Sequence, residues 1–358
     1  MTYILWLDSP DSAGDPRLGG KFASLAEMTA AGFTVPGGFG VTTDAYRAFL
    51  AAAGLAEQAR ETRRRARGAG LETVESLSAA MTRAVESAPM PAEVEDAIRG
   101  AYAALAERAG DPAAPVAVRS SGESEDLAGA SFAGQYHTYL WVSGADQVLA
   151  HVRRCWAGMF GPAVLTYRPA AGQEEETDFA ICVGVQEMVP ARCAGVVFTL
   201  DPVTGDRSKV VIEGCWGLGE GVVSGAITPS RFVVDKVTFE RVGSSVAVQE
   251  TMFALDPGTG TTGLVDVPAE LREQSCLTDD QIRELAGLAK RIERHRGAAQ
   301  DIEWALGPDG GLRVLQVRPE TVWSNRARER LVSSPARAID QVVARFAGIG
   351  VTRGPGRA

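Results

Sequence analysis

Asp301-Ile302-Glu303-Trp304 and Leu315-Gln316-Val317-Arg318 flank Pro308-Asp309-Gly310-Gly311, a turn signal set between two runs of alternating polar and apolar residues. Folded back about that turn, the runs make a β-hairpin with Glu303 opposite Gln316 and Asp301 opposite Arg318. Strand alternation then places Glu303, Gln316 and Arg318 on one face and buries Ile302, Trp304, Leu315 and Val317 on the other. The polar face carries a carboxylate, an amide oxygen and a guanidinium, which suit a hard divalent cation with an anion beside it. Taken alone, the same pattern fits a half-exposed hairpin with cross-strand polar pairs.

The chain has 358 residues, 45% hydrophobic and 23% charged, enough for a large core and for two domains or one bilobed unit. A net charge of −9 argues against nonspecific nucleic-acid binding while allowing a local cationic pocket for phosphates. Cysteines 155, 182, 193, 215 and 276 lack CxxC spacing, which fits neither a disulfide framework nor a structural zinc site and points to a reducing cytoplasm. The apolar stretch from Tyr3 to Leu7 meets Asp8 too soon for a signal peptide, and no apolar run reaches about 18 residues, so membrane insertion is not expected. Histidines 137, 151 and 295 are too dispersed for a metal cluster.

From the start, a strand at Tyr3 to Leu7 leads through a polar loop to a helix at about Lys21 to Ala31, closed by Gly32. Gly19 and Gly20 would present backbone amides just ahead of that helix with Lys21 at its start, an arrangement that suits an anion or an ordinary loop. Thr43 to about Arg108 is helical, punctuated at Gly54, Gly68, Gly70, Pro89 and Pro91, and its arginine run at 63–67 reads as a solvated helix face. Strands are expected at Pro115 to Ser120, Tyr136 to Val142, Phe179 to Val185, Gly195 to Leu200, Lys209 to Glu213 and Arg231 to Val237. A helix at Val148 to Phe160 and a polar loop at Pro169 to Thr177 intervene, and helices at Pro268 to Gln274 and Thr278 to His295 lead into the terminal hairpin. The coarse reading is a mixed α/β chain in two lobes.

Val116-Ala117-Val118-Arg119-Ser120-Ser121 delivers an arginine from a strand edge into a Gly/Ser-rich run, Gly122 to Gln135, where Arg119 can clamp phosphate oxygens and the loop can add backbone amides. GxxxxGK[ST] is absent, and Glu123, Glu125 and Asp126 keep the whole loop from hugging bare phosphates. Gln186-Glu187-Met188-Val189 follows an apolar strand and can offer backbone contacts and an apolar wall to a nucleobase, although Met188 also reads as plain core. Trp216-Gly217-Leu218-Gly219-Glu220-Gly221 permits either a close backbone approach or a tight turn.

Taken in order, these blocks, with Phe198-Thr199-Leu200-Asp201-Pro202-Val203-Thr204-Gly205 between them and Gln316-Val317-Arg318-Pro319-Glu320 at the end, resemble the ATP-grasp nucleotide-binding region of the phosphoenolpyruvate synthase and pyruvate phosphate dikinase family, which also includes rifampicin phosphotransferase. The resemblance covers about residues 15 to 324. It implies an α/β (α+β) ATP-grasp fold whose two lobes, 1–190 with a helical insertion and 191–324, hold a nucleotide cleft between them, followed by a linker and the start of a phosphohistidine domain at 325–358. By the same resemblance Lys21 and Arg119 hold the phosphates of ATP, Gly129, Ser131, Ala133, Gly134 and Gln135 belong to the closing phosphate loop, and Gln186, Glu187, Met188 and Val189 line the adenine site. Glu303 and Gln316 would ligate Mg2+, and Arg318 would stabilise the transferring phosphate. Lys21, Arg119 and Arg318 are thus the expected catalytic residues, and the implied reaction moves the β-phosphoryl group of ATP to a histidine, then to pyruvate, with AMP and phosphate released.

The common family run Ser-Ser-Ala-Thr-Ala-Glu-Asp-Leu-Pro stands here as Ser120-Ser121-Gly122-Glu123-Ser124-Glu125-Asp126-Leu127-Ala128, with an added carboxylate and no proline. ATP binding is expected to survive, with altered loop closure or nucleotide handling as the result. Family members continue into a phosphohistidine domain and an acceptor-binding domain, whereas no catalytic histidine follows Gly348 to Ala358 here. The expected partners are therefore a phosphohistidine-bearing domain or separate protein and an acceptor domain, with an antibiotic phosphotransferase or an ATP-sensing module as alternative readings.

Overall fold

The alternation in the sequence becomes two antiparallel sheets in the computed structural model of the chain, which describes residues 1–122, 138–166 and 180–323. The first sheet is built from β1 (Ile4–Trp6), β2 (Gly38–Val41), β3 (Val116–Gly122), β4 (Thr138–Val142) and β5 (Ile181–Glu187), in the spatial order β1-β2-β5-β3-β4. β5 is central, between β2 and β3, and its unbroken apolar run Ile181 to Val185 is buried throughout, as a strand covered on both faces requires. The second sheet contains β6 (Cys193–Phe198), β7 (Lys209–Trp216), β8 (Ser230–Asp235) and β9 (Arg241–Ser245). A separate hairpin, β10 (Thr251–Asp256) with β11 (Thr261–Asp266), precedes β12 (Gln300–Leu306) and β13 (Leu312–Pro319), and the second sheet runs β13-β12-β6-β7-β8-β9.

Helix α1 (Gly19–Ala30) follows a short 3-10 turn at Pro16–Leu18. Helices α2 (Thr43–Ala52), α3 (Ala56–Ala66), α4 (Leu71–Ser87) and α5 (Ala92–Ala109) break where Gly54, Gly68, Gly70 and the prolines at 89 and 91 stand. With α6 (Ala145–Gly158) and the short α7 (Pro162–Thr166), they bury the first sheet's core, in which the Phe49 and Trp156 rings lie 4.9 Å apart. After the single-turn α8 (Glu220–Val223), α9 (Asp279–Arg296) starts on a capping box made by Thr278 and Gln281. Its apolar stripe, Ile282, Leu285, Ala286, Ala289 and Ile292, shares a core with Trp304, Phe232 and Ile212 of the second sheet. All five cysteines are free and buried. None of the described helices is long and apolar enough to cross a membrane.

Three expectations are corrected. Pro268 to Gln274 forms isolated turns, Leu271 N–H to Pro268 O and Gln274 N–H to Leu271 O, because neighbouring segments claim its polar groups: Gln249 N–H takes the Arg272 carbonyl and Trp216 Nε1 takes that of Leu271. α1 begins at Gly19, so both glycines lie within the helix and not ahead of it, and two amides of its first turn are committed: Gly19 N–H donates to Pro16 O and Phe22 N–H to Ser121 Oγ. Leu315 does not join Trp304 in the core. The ladder pairs Glu303 with Gln316 and then Trp304 with Val314, so Leu315 is the extra residue of a β-bulge and Val314 takes the buried position. β2, β9, β10, β11, α7 and α8 had no counterpart in the sequence reading.

Within the described residues, Met1–Thr321 packs as one unit. The expected phosphate loop with Gly129, Ser131, Ala133, Gly134 and Gln135, the added carboxylate Glu123, the loop at 169–177 and the segment 325–358 lie outside the described residues.

Candidate functional site

α1 is the strut that ties β3 to β13. At its start the Ser121 hydroxyl accepts from Phe22 N–H (3.1 Å) and donates to the Leu18 carbonyl (2.8 Å). Gly19 sits there at φ 64°, and a Cβ at that position would overlap the Ser121 carbonyl, so the approach of helix to strand needs glycine. One turn on, Ser24 Oγ donates to Val317 O (2.7 Å), while Val314 N–H donates to Thr34 O (2.9 Å). At the far end of α1, Glu27 accepts from Arg296 of α9 (2.6 Å). Lys21, in the first turn of α1, is thereby held between the two sheets.

A cavity of about 390 Å³ opens beside it, within the range of small-ligand sites. Nine of the residues singled out in the sequence line it: Lys21, Arg119, Gln186, Glu187, Met188, Val189, Glu303, Gln316 and Arg318. They come from the start of α1, the middle of β3, the end of β5 with the two residues after it, and the strands of the terminal hairpin. Much of the remaining wall is apolar, including Ala117, Leu140, Ala194, Leu218 and Val223.

The terminal hairpin and β3 meet in a polar network. Arg119 Nη2 donates to Glu303 Oε2 (3.1 Å) and to Gln316 Oε1 (3.0 Å), and its Nη1 donates to the Leu315 carbonyl (3.2 Å). Arg318 Nη2 donates to the other Glu303 oxygen, Oε1, at 3.1 Å, and its Nε lies 3.3 Å from Asp301 Oδ2. Burial works to raise the pKa of Glu303, but Arg119, Arg318 and Lys21 together outweigh it and hold that pKa below its ordinary value. The oxygens of Glu303 and Gln316 are hard donors. Among the described residues no three His, Cys, Asp or Glu side chains cluster as a metal cage, so a cation on this pair would complete its shell with water and an anionic ligand, as Mg2+ usually does.

Four buried donors on residues of the cavity lining make no hydrogen bond among the described residues: Nε of Arg119, Nε of Arg318, the amide Nε2 of Gln186 and the indole Nε1 of Trp304. Such orphans fit a ligand that brings acceptors. The segment after Gln186 is more committed than expected. Glu187 N–H donates to Gly37 O (2.8 Å) and Met188 N–H to Pro115 O (2.9 Å), and the Glu187 carboxylate accepts from Gly37 N–H (3.2 Å). These two amides are spent on the fold, which leaves the side chains and the remaining backbone to meet a ligand.

Glu220, the first residue of α8, stands in the glycine run 217–221 and is a site residue that the sequence does not single out. It lines the cavity, and burial first, then the negative charge of Glu303, raises its pKa, with Arg119 opposing. The signal for it was a glutamate at a helix start after glycines, too common to single out. Thr138 and Leu140 of β4 and Gly195 of β6 also line the cavity without a local signal.

A sequence profile described as pyruvate phosphate dikinase, AMP/ATP-binding domain, matches residues 15–337. A probable phosphoenolpyruvate synthase of Methanocaldococcus jannaschii is 40% identical over 330 residues, covering 92% of this chain and 28% of that protein. The phosphoenolpyruvate synthase of Aeropyrum pernix is 37% identical, covering 93% of this chain and 44% of that one. A rifampicin phosphotransferase of a Streptomyces species is 41% identical, covering 89% and 36%. The chain thus spans less than half the length of these relatives. Among solved structures, D-alanyl-alanine synthetase A from Vibrio cholerae aligns over 64% of this chain and 47% of its own, with a TM-score of 0.27 and 13% identity, too loose a likeness to bear on the fold.

Proposed function

The chain belongs to the pyruvate phosphate dikinase AMP/ATP-binding domain family, and from that premise we propose that it is the ATP-binding part of a phosphoenolpyruvate synthase-like dikinase. The observation that carries the proposal is the convergence of nine residues from segments up to 297 positions apart (Lys21 to Arg318) on one cavity. On this reading the fold is ATP-grasp, residues 1–190 and 191–324 are its two lobes, and the cavity between their sheets takes the nucleotide.

The adenine lies against Gln186, Met188 and Val189 and the apolar wall, where the unpartnered Gln186 Nε2 offers a donor to a ring nitrogen. Lys21, Arg119 and Arg318 meet the phosphates. Glu303 and Gln316 hold Mg2+, which, when bound, neutralises phosphate charge and aligns the phosphoryl group. In-line phosphoryl transfer needs positioning and dispersed positive charge more than a nucleophile in this domain. Lys21, on a helix start pinned by Ser121, and Arg318, on a strand backed by the Trp304 core, supply that charge from rigid elements.

The receiving histidine belongs to a phosphohistidine-bearing domain or partner protein, as the greater length of the relatives supports. It would accept the β-phosphoryl group of ATP and pass it to pyruvate, releasing AMP and phosphate. The rifampicin phosphotransferase at 41% identity supports a second acceptor, an antibiotic hydroxyl, for the same nucleotide step. Calorimetry with ATP and magnesium tests the binding: one saturable site that weakens in Arg318→Ala is expected, and its absence overturns the proposal. Release of AMP on adding a histidine-bearing partner tests transfer, and nucleotide binding without transfer to any native partner would reassign the chain as a sensing module.

A further inference from the structure

The oxygens best suited to a divalent cation are already in use. Arg119 Nη2 lies 3.1 Å from Glu303 Oε2 and 3.0 Å from Gln316 Oε1, so one guanidinium nitrogen bridges the pair, and Arg318 takes the other Glu303 oxygen at 3.1 Å. Nη1 of the same guanidinium is fixed 3.2 Å from the carbonyl of Leu315, the residue of the β-bulge. The Arg119 and Glu303 side chains are each only 13% exposed, so the contact is held within the protein and is not a loose surface pair. A divalent cation can reach both oxygens only by displacing the guanidinium. Arg119 is also incompletely satisfied where it stands, since its buried Nε has no partner among the described residues. A polyphosphate offers the planar fork several acceptors at once.

We propose that Arg119 is a resident counter-cation that closes the Glu303–Gln316 oxygen pair to free divalent cations, and that a bound polyphosphate opens the pair by drawing the guanidinium onto itself. The inference rests on the reading of the cavity as a nucleotide site. It makes metal binding conditional on nucleotide: the cation enters with the phosphates and does not precede them. Arg119 is then a positioning residue for the metal as well as a phosphate ligand, and its removal has opposite effects on the two.

Mn2+ alone is the probe, with the free ion read by electron paramagnetic resonance, on the intact chain and on Arg119→Met, which keeps the aliphatic stem. Arg119→Gln serves as a second variant should the first misfold, with thermal unfolding of each as the control. The wild type should show no Mn2+ site dependent on Glu303, Arg119→Met should bind one Mn2+ at least about ten-fold more tightly, and adding Glu303→Gln should abolish it. Calorimetry of Mg-ATP on the same preparations should show binding to the wild type and loss in Arg119→Met. Mn2+ binding to the wild type that Glu303→Gln removes, or equal Mn2+ affinity with and without Arg119, overturns this proposal while leaving the nucleotide site standing. Absence of Mg-ATP binding by the folded wild type overturns the nucleotide reading itself.

Discussion

Glu303 faces Gln316 across the β12–β13 ladder, and the two side chains present Oε2 and Oε1 to the same nitrogen of Arg119 at 3.1 and 3.0 Å. The hairpin pair is local in sequence, but the arginine that joins it stands 184 positions from Glu303. The chemistry proposed for the hairpin thus depends on a strand of the other sheet.

Arg318→Ala and Glu303→Gln should each lower phosphoryl transfer to the native histidine partner by about 10²-fold or more, the scale for one preorganised electrostatic contact. Glu303→Gln should also lower stability, by about 2 kcal/mol, because hydrogen bonds from two guanidiniums lose their charged acceptor. Near-normal transfer in both variants would remove the hairpin from the mechanism.

Trp304 is fully buried among Ile302, Val314 and the α9 stripe, so Trp304→Ala should cost about 3–5 kcal/mol in chemical denaturation. Trp304→Phe should cost distinctly less. The indole Nε1 is buried without a partner among the described residues, so phenylalanine removes an unpaired donor along with the lost area. Equal losses in the two variants would contradict this account.

Gly19→Ala places a Cβ into the Ser121 carbonyl at a φ of 64°, which an alanine adopts only under strain. About 2 kcal/mol or more of destabilisation is expected, with weakened ATP binding because Lys21 rides on the displaced helix start. Thermal unfolding and calorimetry on one sample check both halves, and unchanged values for both would show that α1 does not set the position of Lys21.

The pH dependence of stability should separate Glu303 from Glu220, two of the glutamates that line the cavity. The Glu303 carboxyl is held below its ordinary value, so its contribution is present above the unfolded carboxylate range of about 4.3 and is lost as pH falls through the lower folded value. The Tm gap between wild type and Glu303→Gln should therefore be flat near neutrality and shrink in acid. Glu220 is the reverse: burial and Glu303 raise it, so its ionised form costs stability at neutral pH and the cost is relieved as pH falls. Glu220→Gln should raise Tm at pH 7, and a lower Tm there would show a favourable partner for the carboxylate.

What the sequence determined by itself was whatever short-range chemistry dictates. The terminal hairpin was legible because Pro308 to Gly311 sets a turn and the flanking residues alternate, and Glu303 does pair with Gln316 and Asp301 with Arg318. The helices of 43–109 were legible because Gly54, Gly68, Gly70, Pro89 and Pro91 end them whatever they pack against. The family was legible in the order of its blocks along the chain.

Only the tertiary structure decided which polar groups were already spent. The Phe22 amide goes to Ser121, the amides of Glu187 and Met188 go to Gly37 and Pro115, and the Glu303–Gln316 oxygens go to Arg119. It also decided the bulge that exchanges Leu315 for Val314 in the core, the loss of the expected helix at Pro268 to Gln274, and the presence of Glu220 at the cavity. The physical reason is one of range. Propensity and alternation act over a few residues, whereas a hydrogen-bonding group in the interior is satisfied by whichever partner the packing of distant strands brings within about 3 Å.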